Sequence, residues 1–311
     1  MPRPLVGVFS FFSGSCSLST LYICSMESFS EQLHHLIAEA LREDIGDGDH
    51  STLSCIPANE RGKAVLKIKE DGWLAGMEVA QAIFRQVEAD CRFMLYKKDG
   101  EPMKSGEIAF EVEAGVHTIL QCERLVLNSM QRMSGIASLT REYSSLLEGF
   151  HTRLLDTRKT TPNFRLLEKE AVRIGGGVNH RMGLYDMIML KDNHIDYCGG
   201  LEKAVERAWQ YVQTQKPGLK IEVETRSVED VKRAVSTGKV DRIMLDNFSP
   251  EKIAEALPFV PKGIETEASG GINKNNIRDY AATGVDFVSV GALIHQARSL
   301  DLSLKAVKGE A

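Results

Sequence analysis

The stretch Ile221-Glu-Val-Glu-Thr-Arg-Ser-Val-Glu-Asp-Val-Lys-Arg-Ala-Val-Ser-Thr-Gly-Lys-Val-Asp-Arg-Ile-Met-Leu-Asp246 decides the fold. It opens on a short apolar run ending at Glu224, passes through a helix-like segment, and closes on a second run, Ile243-Met-Leu245, ending at Asp246. A short buried strand followed by a helix is one βα unit, and repeating it builds a parallel sheet. The grammar extends in both directions. Upstream, Leu154-Leu155 runs into Asp156 and Met187-Ile-Met-Leu190 into Lys191. Downstream, Ile264–Ala268 runs into Ser269 and Phe287-Val-Ser-Val290 into Gly291. Successive run ends lie 22 to 35 residues apart, the length of a βα unit. Amphipathic helices fit between them: Leu201, Ala204, Val205, Ala208, Trp209 and Val212 share one face, and Ser249-Pro250 opens another helix with Ile253, Ala254 and Leu257. Every run ends in a charged, hydroxyl-bearing or glycine residue, as in a barrel whose working residues sit at the C-terminal ends of its strands. No Gly-x-Gly-x-x-Gly follows the first run, which disfavours an open dinucleotide-binding sheet.

Residues 26–140 read differently. Ser28-x-x-Glu31 is a capping-box pattern ahead of Leu33, Leu36, Ile37, Ala40 and Leu41 at helical spacing. The acidic turn Glu43–His50 has too few correctly spaced ligands for a calcium loop. Lys63–Lys69 alternates, with Ala64, Leu66 and Ile68 on one face, and Asp71-Gly72 follows as a turn. Lys98-Asp99-Gly100 and Lys104-Ser105-Gly106 punctuate further short strands, of which Glu107–Val112 is one. This is a mixed helix and antiparallel-sheet unit, followed from residue 141 to 311 by the βα series, with the C-terminal tail able to pack back on the first unit. Residues 1–25 carry a single charge, Arg3, and an apolar stretch Leu5–Phe12; they are expected to be a disordered extension or an over-extended translational start, with the folded chain beginning near Met26.

The chain has 311 residues, with 38 Lys+Arg against 43 Asp+Glu and a net charge of −5. A mildly acidic total disfavours nucleic-acid binding, which needs a broad basic surface. No apolar run approaches the ~20 residues needed to cross a bilayer. Six scattered cysteines without a Cys-x-x-Cys pair disfavour a zinc site or a disulfide framework and suit a reducing cytoplasm.

Between His151 and Ile195 there are eight Lys/Arg against five Asp/Glu, a local excess that suggests an anionic ligand. Thr157-Arg158-Lys159-Thr160-Thr161-Pro162 follows a strand, Gly175-Gly-Gly-Val-Asn-His180-Arg181 is a glycine-rich loop closing on a His-Arg pair, and Lys191 ends the next strand. Arginine pairs with carboxylates bidentately, and lysine acts as a point charge for phosphate. Taken singly, each is a solvated basic face; their place beyond strand ends favours a site. Glu224 and Asp246 end consecutive strands and are candidates to hold Mg²⁺ or sugar hydroxyls. Ser269-Gly270-Gly271 and Gly291 follow the last two strands, where backbone N–H groups of barrels often bind a phosphate, with His295 nearby. Met130, Met133, Met187 and Met189 read as core filling.

These motifs, with Leu190-Lys191-Asp-Asn-His194, Glu222-Val-Glu224, Leu245-Asp246-Asn-Phe248, Glu267-Ala-Ser-Gly-Gly271, Glu123-Arg124 and Ser134-Gly-Ile-Ala-Ser138, closely resemble the series of the quinolinate phosphoribosyltransferases, from about Glu43 to Lys305. The resemblance implies an N-terminal α/β sandwich joined to an incomplete TIM-like α/β barrel. It implies transfer of phosphoribosyl from phosphoribosyl pyrophosphate to quinolinate with Mg²⁺ and no organic cofactor, giving nicotinate mononucleotide, pyrophosphate and CO₂ in NAD biosynthesis. It implies a homodimer, with higher assembly open, in which Arg124 reaches the neighbouring site. Thr157, Arg158, Lys159, His180, Arg181 and Lys191 would face quinolinate, and Lys159 and Lys191 also the pyrophosphate or ribose. Glu224 and Asp246 would face ribose and magnesium, and Ser269, Gly270, Gly271, Gly291 and His295 the phosphoribosyl group. A Schiff-base lyase using Lys191, a non-catalytic phosphate-sugar barrel, and a relative acting on another acid are the competing readings.

Overall fold

The computed structural model describes residues 28–307, so the expected extension over residues 1–25 lies outside the described residues. Helix α1 (Phe29–Ile45) opens on the expected capping box: Glu31 N–H donates to Ser28 Oγ (3.3 Å), and Ser28 N–H donates to Glu31 Oε2 (2.7 Å). Its apolar face turns inward at Leu33 and Ile37. The acidic turn then serves a second helix, α2 (His50–Cys55), because Asp49 accepts the Thr52 N–H at 3.1 Å.

Strands β1 (Arg61–Ile68) and β2 (Gly72–Trp73), helix α3 (Met77–Val87), strands β3 (Arg92–Leu95), β4 (Pro102–Met103) and β5 (Ile108–Gly115), and the 31-residue helix α4 (Val116–Leu146) complete the first unit. β5 pairs antiparallel with β1 and β3, while β2 and β4 form a separate ribbon. Ala64, Leu66 and Ile68 are buried as the alternation requires; Val65, on the opposite face of the strand, is buried too. Met130 and Met133 on α4 are core residues, as read.

All six expected apolar runs are strands, and they alternate with helices. They run β6 (Arg153–Leu155), α5 (Arg165–Ile174), β7 (Ile188–Leu190), α6 (Asp192–Cys198), α7 (Leu201–Thr214), β8 (Ile221–Thr225), α8 (Val228–Ser236) and β9 (Arg242–Asp246). The series continues with α9 (Pro250–Ala256), β10 (Glu265–Ser269), α10 (Ile277–Ala282), β11 (Phe287–Ser289) and α11 (Ala292–His295). The strands form one parallel sheet in the order β6-β11-β10-β9-β8-β7. Its two edges, β6 and β7, do not pair with each other, so the barrel is incomplete. Val178 bridges Leu155 on the free edge of β6, and the Val178 N–H donates to the Leu154 carbonyl (2.8 Å). That single rung carries His180 and Arg181 to the same end of the sheet as the residues following β6.

The last strand, β12 (Leu302–Val307), leaves the barrel and pairs antiparallel with β1, so the first sheet reads β12-β1-β5-β3. The two units are therefore stitched together by the chain's last strand as well as by α4. Helix α4 and the returning segment touch backbone to backbone: a side chain at Gly135 would sit 1.8 Å from the Arg298 carbonyl oxygen.

Candidate active site

A cavity of about 850 Å³ lies at the C-terminal ends of the parallel strands. Of the residues singled out from sequence, Thr157, Arg158, Lys159, His180, Arg181, Lys191, Asp246, Ser269, Gly270, Gly271, Gly291 and His295 all line it. Residues more than a hundred positions apart converge because parallel βα units deliver every strand's C-terminal end to one side. Two of the singled-out residues stand apart. Glu224 lies behind the wall, joined to it through Lys191, whose Nζ donates to Glu224 Oε2 at 2.7 Å. Arg124 is exposed on α4 and does not line this cavity.

The cationic wall is built by strand ends and a braced loop. The Lys159 N–H donates to Thr157 Oγ1 (3.1 Å), and the Thr160 side chain accepts from Arg165 Nε (3.0 Å), which shapes the turn carrying Arg158 and Lys159. Arg158 Nε is buried and has no hydrogen-bond partner in the protein. A buried guanidinium donor without a partner is costly unless an anionic ligand satisfies it. The Arg181 guanidinium is anchored by a bond from Nη1 to the Met187 carbonyl (3.2 Å). Burial, then the neighbouring Arg158 charge, lowers the Arg181 pKa, which is the signature of cations held together to meet an anion.

His180 is held through backbone and ring alike. Its N–H donates to Asp156 Oδ1 (2.8 Å), and its carbonyl accepts from Lys169 Nζ (3.0 Å). Asp156 and Lys169 form an ion pair without exposed side-chain surface, and burial pushes Asp156 up to about 6 despite the lysine beside it. His180 Nε2 lies 3.1 Å from Glu222 Oε2 and 3.2 Å from Glu267 Oε2, an ion contact too bent for regular hydrogen bonds. Burial alone would lower the imidazole pKa, but the two carboxylates outweigh it and raise the ring to about 9. Nδ1 also lies 2.6 Å from the Arg181 amide nitrogen, a contact that competes with a second ring proton. Glu267, held below its usual range by the imidazole against the effect of burial, supplies the counter-charge that favours the charged ring, while burial and then the Glu267 charge raise Glu222.

Glu222 and Glu267 are the functional-site residues that the sequence reading quoted within motifs but gave no role. The period-two rule held the signal: Glu222 shares a strand face with Glu224 and sits one step deeper. Arg242, on the strand between them, brings Nη1 to 3.3 Å from Glu267 Oε2. Among the described residues, His180, Glu222 and Glu267 are the group of three ligand-type side chains with donor atoms within 4.8 Å of one another. Arg242 and the charged imidazole already supply cations there. The fit for Mg²⁺ is better at Asp246, whose pKa is raised by burial and then by the charge of Glu224, a repulsion that a divalent cation with ligand oxygens relieves.

The glycine-rich turns divide into two kinds. Gly270 has φ of +95°, and a Cβ there would come within 2.2 Å of Asn247 Oδ1. Asn247, itself in the left-handed region at φ 56°, donates from Nδ2 to Asp246 Oδ2 (2.7 Å). This turn therefore shapes the cavity. The Gly175–Gly177 loop, read as part of an anion site, does not line it: Gly175 and Gly177 lie against Ala137, Thr140 and Val172, and only the following His180 and Arg181 reach the ligand side. Met189, read as core filling, is buried but also lines the cavity.

With this geometry in view, similarity to known proteins is informative. Residues 49–134 match the family described as quinolinate phosphoribosyl transferase, N-terminal domain, and residues 136–305 match its C-terminal domain. A Bacillus subtilis protein named probable nicotinate-nucleotide pyrophosphorylase (carboxylating) is 40% identical over 273 residues, 88% of this chain and 93% of its own. A mitochondrial quinolinate phosphoribosyltransferase (decarboxylating) 2b of Nicotiana tabacum is 36% identical over 98% of this chain and 90% of its own. The crystal structure of NadC from Streptococcus pyogenes superposes with a TM-score of 0.82 at 40% identity, covering 91% of this chain and all of that one.

Proposed function

The chain belongs to the quinolinate phosphoribosyltransferase family, and from that premise we propose how its barrel mouth carries out the reaction. It is a phosphoribosyltransferase of NAD biosynthesis that joins quinolinate to phosphoribosyl pyrophosphate, forming nicotinate mononucleotide with release of pyrophosphate and CO₂. The observation that supports the residue roles is the buried, unpartnered Arg158 Nε in a cavity that also holds Arg181 and Lys191.

Arg158, Arg181 and the charged His180, with Thr157, bind the two quinolinate carboxylates and hold the pyridine nitrogen toward C1 of the ribose. Ser269, Gly270, Gly271, Gly291 and His295 hold the 5′-phosphate end of the second substrate. As the C1–oxygen bond to pyrophosphate breaks, positive charge develops on the ribose; Asp246 stabilises it from the cavity wall, and Glu224 adds its charge from behind that wall. Lys159 and Lys191 stabilise the negative charge that accumulates on the departing pyrophosphate. Glu224 and Asp246 would also hold Mg²⁺, which when bound supplies further positive charge to the pyrophosphate oxygens. The nitrogen's electron pair forms the new bond to C1, and the ring becomes cationic. That cation accepts the electron pair released when the adjacent carboxylate leaves as CO₂, and a proton then takes the vacated carbon.

Arg124, exposed on α4 away from its own cavity, is assigned to the partner's cavity in a homodimer. Four free cysteines among the described residues, Cys55, Cys91, Cys122 and Cys198, support a reducing setting, for which we propose the cytoplasm. No helix among the described residues is long and apolar enough to cross a membrane. The test of the functional reading is product formation from quinolinate, phosphoribosyl pyrophosphate and Mg²⁺, with nicotinate replacing quinolinate in parallel. Nicotinate mononucleotide and CO₂ from quinolinate alone are expected; equal use of nicotinate would remove the dicarboxylate assignment of Arg158 and Arg181.

A further inference from the structure

One ion pair outside the main cavity joins its two walls. Glu168, on α5, has no exposed surface. Its Oε1 accepts from Arg132 Nε (3.0 Å), from Arg132 Nη2 (2.9 Å) and from the Thr161 hydroxyl (2.9 Å), while its Oε2 accepts the Thr161 N–H (2.8 Å). Thr161 ends the turn that carries Arg158 and Lys159. Arg132, on α4, uses its remaining donors on the opposite wall: Nη2 reaches the Ile294 carbonyl (2.8 Å), and Nη1 reaches the Ala297 carbonyl. Those carbonyls belong to the turn that carries Gly291 and His295. The two walls already meet closely, since a Cβ at Gly291 would lie 3.1 Å from Lys159 Cδ.

We propose that Arg132 and Glu168 are positioning residues, and that their ion pair is a strut setting the distance between the Arg158–Lys159 turn and the Gly291–His295 turn. The inference rests on the functional reading above, in which the first turn meets quinolinate and the leaving pyrophosphate and the second meets the phosphoribosyl group. A planar guanidinium supplies the four bonds made here, two to the carboxylate and one to each carbonyl, whereas lysine has three donors and no fixed fork. If the pair served burial alone, an apolar pair of similar volume would replace it without loss. If it serves spacing, such a pair restores the fold and leaves the substrates misaligned, and a misplacement of ~1 Å is enough to slow a reaction ~100-fold.

The experiment uses the full chain with Glu168→Gln, with the double variant Arg132→Met/Glu168→Leu, and with Thr161→Val, which removes one bond at an exposed residue. Steady-state constants for both substrates are measured well below each variant's Tm, alongside amide hydrogen exchange without substrate. Glu168→Gln and the folded double variant are expected to lose ~10-fold or more in kcat/KM for both substrates, and Thr161→Val ~3-fold. Exchange over 157–164 and 292–297 should rise together in Glu168→Gln. Constants within ~2-fold of wild type in the folded double variant, or faster exchange in one segment alone, would overturn the strut. Should the wild-type chain fail to turn over these substrates, the functional reading falls, while the exchange comparison still decides the strut.

Discussion

On the antiparallel sheet, Lys63 Nζ reaches Glu111 (3.5 Å) and Glu113 (3.9 Å) across a face that leaves the lysine side chain half exposed. Beneath the mouth of the parallel sheet, Asp156, Lys169, Glu222 and Glu267 have no exposed side-chain surface, and His180 has almost none. Both regions pair acids with bases, yet the physics differs. An exposed pair exchanges one set of water contacts for another and contributes little. A buried charge is stripped of water and must be compensated within the protein, so removing one partner is expensive. The first sheet is a scaffold with charged outer faces. The second carries a charge cluster directly beneath the cavity-lining residues proposed to meet the substrates.

That contrast can be broken by four measurements. Lys169→Met leaves Asp156 buried without its counter-ion and should lower unfolding free energy by ~3–5 kcal/mol in chemical denaturation; a change below that of a surface pair would erase the distinction. Arg158→Ala should lower kcat/KM for quinolinate on the order of 10²–10³-fold with little change in Tm. Parallel losses of activity and stability would make Arg158 part of the scaffold.

The His180 cluster sets a pH dependence whose sign is fixed. The folded ring is raised from 6.5 to about 9, so its contribution to stability is fully present below 6.5 and disappears as pH rises through 9. Stability measured from pH 6 to 10 should fall across that window in the wild type, and the fall should flatten in Glu267→Gln; identical profiles would separate the acids from the ring's charge. The smallest effect belongs to the first sheet: Lys63→Ala should change unfolding free energy by less than ~0.5 kcal/mol, and a larger loss would mean its pairs are less hydrated than their exposure implies.

Much of this arrangement was legible in the chain. The six runs ending at Asp156, Lys191, Glu224, Asp246, Ser269 and Gly291 are local patterns, and a parallel sheet brings such ends together whatever the details. The capping box at Ser28 and the alternation after Lys63 are local too. The roles of Glu222 and Glu267 were not legible, because an acid inside a strand reads the same whether it faces water, a metal or an imidazolium. The Gly175–Gly177 loop misled for a related reason: glycine marks close approach without naming what approaches, which here is helix α4 and its neighbours. The strut between Arg132 and Glu168 joins positions 36 residues apart on two different helices, a pairing that no local pattern announces.

What the sequence determined by itself was therefore whatever depends on near neighbours along the chain: element type, element order, and the identity of each residue at a strand end. Only the tertiary structure decided which strands flank the open seam, the pairing of β12 with β1, and the buried carboxylates of Glu222 and Glu267 that keep His180 a cation against the effect of burial. Those depend on which distant segments exclude water from one another, and desolvation is a property of the assembled fold that no run of residues carries alone.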